Sequence, residues 1–149
     1  MLRGMDVGFP ARWQHWLLPG VLLLGLVGTL VELVLLDHYE DPWQLVPLAL
    51  IALAVVVVGW YLRRPTFASR SVLQVTMTSF VAAGLIGVVL HMRGAAEFQL
   101  DIDPTMDRWT LLVKTLRAKA PPALAPGLMI QLGLIGFILT LTKESRHEP

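Results

Sequence analysis

A chain of 149 residues has the length of one domain, yet 55% of it is hydrophobic, only 15% is charged and its mean hydropathy is +0.64. A soluble domain is about 25% charged, so this composition excludes a water-exposed globule of ordinary surface and points to lipid as the solvent. The formal net charge of +1, with no basic run longer than Arg63 and Arg64, excludes nucleic acid as a partner, and the absence of cysteine excludes disulfides, thiolate metal sites, iron–sulfur clusters and cysteine nucleophiles.

Four stretches reach the roughly 20 apolar residues that cross a hydrocarbon core about 30 Å thick. The first, residues 16–36, is longer than the apolar region of a secretory signal. Asp-His-Tyr-Glu-Asp follows it in place of a small-x-small cleavage site, so an uncleaved span is predicted. Residues 37–42 form a short connection with no Lys or Arg. The second span, residues 43–62, contains four valines at 55–58, a run that suits a helix facing lipid all round. A basic connection with Arg63, Arg64 and Arg70 leads to the third span, residues 72–92. The aromatics Trp13, Trp16, Tyr39, Trp43, Trp60 and Tyr61 fall at span ends, where an apolar ring with a polar tip is at home.

The long connection, residues 93–122, has a pattern of its own. Residues 97–103 alternate polar and apolar, which is the strand period. Asp103 followed by Pro104 reads as a helix N-cap and first turn, predicting a helix over about 104–118 with Met106, Trp109, Leu112 or Val113, and Leu116 along one apolar stripe. That helix is predicted to lie on the membrane surface or to cap the bundle. The fourth span covers residues 123–141. The expected fold is therefore an all-α integral membrane four-helix bundle, a single domain with a short extracytoplasmic amphipathic helix between spans three and four.

Orientation follows from the basic residues. Seven lie on the side of the termini (Arg3, Arg12, Arg63, Arg64, Arg70, Lys143, Arg146) and five on the other (Arg93, Arg108, Lys114, Arg117, Lys119), which places the termini in the cytoplasm, in a bacterial inner membrane. Eight of the eleven acids lie on the opposite side or in its half of the bilayer.

Glu32 interrupts an apolar span about one turn from its end, and an ionisable group there calls for a partner or a role. Gly25, Gly28 and Glu32 are spaced i, i+3, i+7 and share one helical face. Small residues mark helix contacts in membranes, so Glu32 is expected to face the bundle and to bond Gln131 of the fourth span as a structural polar pair. Gly84, Gly87 and His91 repeat that spacing, which puts His91 on the packing face of the third span, level with His38. Two histidines near Glu32 and Glu97 are the ligand types of a divalent metal site, and two imidazoles suit a bis-histidine haem. Glu32 and His38 lie about 120° apart around a helix, so one site takes both only if the helix bends or ends between them. Met92 beside His91 offers a thioether. Asp37, Glu40, Asp41, Glu97, Asp101 and Asp103 form an acidic surface suited to a hard cation or to water. No nucleophile elbow, Walker loop, dinucleotide fingerprint or His-Glu-x-x-His helix occurs, so no catalytic residue is assigned.

Three functions fit these residues. The first is a non-enzymatic membrane subunit whose extracytoplasmic polar cluster binds a partner or an ion, with Gly25, Gly28, Gly84, Gly87, Gly133 and Gly136 as packing surfaces for a homo-oligomer or a larger complex. The second is a redox or metal-handling protein that uses His38 and His91. The third is a small proton- or cation-coupled transporter that uses Glu32.

Overall fold

The structure, a computed structural model, describes residues 11–117 and 124–142, with side chains from Trp16 in the first segment and as far as Leu141 in the second. Among these residues there are five helices: α1 (Ala11–Leu35), α2 (Pro42–Arg63), α3 (Phe67–Ile102), α4 (Arg108–Leu116) and α5 (Leu124–Thr142). The chain is all-helical, and α1, α2, α3 and α5 are long and apolar enough to cross a membrane. The termini, with Arg3, Lys143 and Arg146, and the stretch holding Lys119 and Ala123 lie outside the described residues, as do the side chains of Arg12 and Trp13.

The starts of α2 and α3 are fixed by local chemistry. Asp41 caps α2: its carboxylate accepts from the Trp43 amide at 2.8 Å, while Gln44 reaches back to the Asp41 amide at 3.2 Å. Thr66 and Ser69 form the same reciprocal cap at the start of α3. Such caps satisfy amides that a helix leaves open at its first turn.

The structure corrects the third connection. No strand forms over residues 97–103; α3 runs on to Ile102. A lone strand needs partners for its backbone, whereas an existing helix adds one bond per residue without a new nucleus. Arg93 and Glu97 then sit one turn apart and pair at 3.0 Å. The 36 residues of α3 span about 54 Å, so the helix stands well clear of a bilayer core about 30 Å thick. Asp103 closes α3 and does not cap the next helix. Its carboxylate accepts from the Thr105 amide and hydroxyl at 3.0 and 2.7 Å. The N-cap of α4 is Asp107, four residues later, accepting from Trp109 and Thr110 at 3.0 and 3.1 Å.

The long helices pack as a square: α1 on α2, α2 on α3, α3 on α5 and α5 back on α1, with the diagonal pairs α1/α3 and α2/α5 out of contact. Among the described helices, α4 packs on α3 only. The core is a set of seams. In α1 the buried positions are Pro19, Leu22, Leu26, Thr29 and Leu33; in α2, Ile51, Ala54, Val57, Val58 and Tyr61; in α3, Ser69, Leu73, Thr76, Met77, Phe80 and Gly84. The steps of three and four that run through each set are the spacing of helices that interlock at a small crossing angle. Close approach of α3 and α5 requires glycine. A Cβ on Gly133 would lie 2.8 Å from the Met77 carbonyl oxygen, and one on Gly84 would lie 2.7 Å from that of Pro126. Trp16, Tyr39, Trp43 and Trp60 are exposed near helix ends, as an interfacial belt requires, but Tyr61 is 2% exposed and belongs to the core.

Candidate functional site at the histidine end

The end of the bundle that holds the α1–α2 connection also holds the middle of α3. How α1 stops decides where His38 goes. The Asp37 amide donates to the Val34 carbonyl at 3.2 Å and the His38 amide to the Leu33 carbonyl at 2.9 Å. Asp37 takes a φ of 51°. This crossed pair of bonds around a left-handed residue terminates a helix and reverses the chain, and aspartate accepts that conformation better than most side chains. The turn directs the His38 ring towards α3, where it meets His91 with ring centroids 6.2 Å apart and planes 17° from parallel. The two imidazoles therefore bridge helices that are diagonal in the bundle. His38 is half-buried and His91 exposed. Burial, and secondly the positive charge His91 can carry, hold the His38 pKa below the usual histidine value. Beside them, the Tyr39 hydroxyl donates to Asp37 Oδ1 at 2.7 Å, which raises the phenol pKa.

Of the residues expected to share a site, His38 and His91 are brought together and the others are not. Glu32 is exposed on the outside of α1, and no hydrogen bond joins it to Gln131, which is itself exposed on α5. The reason lies in the seam. Leu33 and Thr29 are buried, and Glu32 sits about 100° from the first and about 60° from the second around the helix. Gly25 does meet α5, where its Cβ would lie 2.5 Å from Leu132 Cδ2, but nothing lies within 4 Å of a Cβ on Gly28. The shared face of Gly25, Gly28 and Glu32 thus begins in the bundle and leaves it. Gly84 and Gly87 do pack, on Ile130 and Pro126, whereas His91 beyond them is exposed and engages His38.

Glu97 is exposed and paired with Arg93. Met92 turns away from the imidazoles and lines a groove between α3 and α4. The acids are used singly: Asp37 for Tyr39, Asp41 as a cap, Asp103 for Thr105. Among the described residues, no group of three or more His, Asp or Glu is placed to hold a metal ion.

Two features escaped the sequence reading. Gln74 Nε2 donates to Thr140 Oγ1 at 3.1 Å, joining α3 to α5. Both residues interrupt apolar runs, which was a usable signal. The second is the groove between α3 and α4, lined by Arg108, Leu111 and Thr115 from one face of α4. Their i, i+3, i+7 spacing is visible in the sequence, but it runs beside the more apolar stripe of Trp109, Leu112 and Leu116, whose Leu112 also lines the groove. Compared with protein-family models, curated proteins and solved structures, the chain matches none of them.

Proposed function

We propose that this chain is a small non-enzymatic subunit of a larger membrane complex, lying in a bacterial inner membrane with its termini in the cytoplasm. The observation that carries this reading is Glu32: a carboxylate within an apolar helix, exposed on the outside of the bundle and without a hydrogen-bond or ion-pair partner among the described residues. Facing acyl chains, such a group costs a few kcal/mol. A partner helix that presents a cation or hydrogen-bond donor at the same depth removes that cost. The neighbouring Gly28, open on its outer side, lets a second backbone come close. A second copy of this chain is a poorer match, because among the described residues the spans carry no Lys or Arg near the depth of Glu32. A photoreactive amino acid at position 28, activated in native membranes, should yield one discrete adduct with a different membrane protein. Adducts only with lipid, or only with a second copy, would refute the reading.

A second reading has one observation in its favour, the meeting of His38 and His91. Two imidazoles fall short of the four ligands of structural zinc but are the full protein contribution to a bis-histidine haem. A Soret band in the gently solubilised protein, lost in both His38→Ala and His91→Ala, would establish it. Coupled transport through Glu32 has lost its geometric support, since that side chain lies outside the bundle.

A further inference from the structure

The groove between α3 and α4, about 350 Å³ in volume, is walled by Met92, Ala96, Leu111 and Leu112, with Thr115 and Arg108 as its polar contributors. That volume lies within the range of about 300–1,000 Å³ typical of small-molecule sites. Thr115 is 2% exposed, and its hydroxyl has no hydrogen-bond partner among the described residues. Elsewhere in the chain Thr29, Thr76 and Thr78 return their hydroxyls to the carbonyl four residues earlier. Thr115 does not, so a buried donor is left without an acceptor beside an apolar groove, a destabilising arrangement unless something accepts from it. Arg108 lies two turns away on the same face of α4, exposed and without an ion pair among the described residues.

The surroundings indicate what fits. The groove begins at Met92, where the apolar stretch of α3 gives way to Arg93. Another face of α4 exposes Trp109 and Leu116, at 72% and 52%. That stripe faces away from the protein and suits the boundary between headgroups and acyl chains. We propose that the groove binds one anionic glycerophospholipid. Part of an acyl chain fills the apolar walls, an ester carbonyl accepts from the Thr115 hydroxyl, and the phosphate pairs with Arg108. Arginine is suited to that last contact because its planar fork matches a phosphate.

The test is native mass spectrometry of the full chain released from detergent with equimolar phosphatidylglycerol and phosphatidylcholine, and separately with ubiquinone, whose carbonyl could also meet Thr115 but which has no phosphate. One phosphatidylglycerol should be retained, preferred by about fivefold for a single cationic contact. Arg108→Gln, at an exposed position, should fold normally and abolish the preference. Ala96→Phe should fill the groove and lose both phospholipids. Thr115→Val should weaken retention of both while raising the melting temperature of the lipid-free protein, because the unpartnered donor is gone. Equal binding of the two phospholipids by the unmodified chain would overturn the proposal, as would a preference that survives Arg108→Gln. Displacement of phosphatidylglycerol by ubiquinone would reassign the groove to a neutral isoprenoid.

Discussion

Gln74 of α3 donates its amide to the hydroxyl of Thr140 on α5 at 3.1 Å, and Thr140 passes its own proton to the Phe137 carbonyl at 2.7 Å. Thr140 is fully buried, so this chain of bonds lies inside the most extensive helix contact of the bundle. Gln74→Met keeps the length of the side chain and removes the donor. It should lower stability by roughly 0.6–2 kcal/mol, the range for hydrogen bonds between membrane helices, read from the midpoint of unfolding in mixed micelles. An unchanged midpoint would mean that Gln74 bonds equally well in the unfolded chain.

The glycines separate into two classes with opposite expected signs. Gly133→Ala would set a Cβ 2.8 Å from the Met77 carbonyl oxygen and 2.9 Å from Val81 Cγ2, and should cost about 1–3 kcal/mol through overpacking. Gly28→Ala meets nothing within 4 Å and should stabilise the isolated protein by about 0.5–1 kcal/mol, since alanine is the better helix former. Gly136 is intermediate, because what a Cβ would strike there is the pliable side chain of Met77. Melting temperatures of the three variants in one detergent would check the order.

Acid should loosen the histidine end. The folded-state pKa of His38 is depressed, by burial first and by His91 second. The unfolded chain therefore takes up its proton at higher pH than the folded one. The contribution of His38 to stability is present in full above the unfolded value of roughly 6.5 and is lost as pH falls from there towards the lower folded value. A titration of the imidazole protons by NMR in metal-free buffer should show His38 below the ordinary histidine midpoint. His91→Gln should bring it part of the way back, leaving the larger share that burial causes.

Helix α4 is nine residues long, too short to persist by itself, and depends on its cap and on α3. Asp107→Ala removes an acceptor of two amides and should cost about 0.5–2 kcal/mol. The same bonds to Thr110 and Trp109 hold the Asp107 carboxyl below its usual pKa. That stabilisation is present above the unfolded value and is lost as pH falls through the folded one. Amide hydrogen exchange of Trp109 and Thr110 should accelerate in the variant while α5 exchanges as before.

The spans were legible in the sequence because the thickness of a bilayer sets one length scale, and stretches such as 43–62 meet it with no competing pattern. The overhang of α3 was not, because seven alternating residues satisfy a strand template just as well as the flank of a helix. Only the Arg93–Glu97 pair, one turn apart, spoke for the helix. The equal height of His38 and His91 was legible, but not their meeting; the turn at Asp37 that enables it has no sequence signature beyond a residue type tolerant of positive φ. Glu32 was misplaced for a definite reason. Its spacing from Gly25 fixed which residues share a face but not how far that face stays in contact, and α5 reaches Gly25 without covering Gly28.

Only 28% of the most apolar window in each of α1, α2 and α3, and 39% in α5, is buried inside the bundle. Tolerance to mutation should therefore run in stripes. Val56, Val75 and Leu85, on outward faces, can drift among aliphatic side chains of any shape, since fluid acyl tails adjust to each. Leu73, Met77 and Phe80, fully enclosed, have no such latitude. Two lineages descended from this chain could come to differ at most of their apolar positions and still superimpose helix for helix, so similarity of sequence would fade long before similarity of shape.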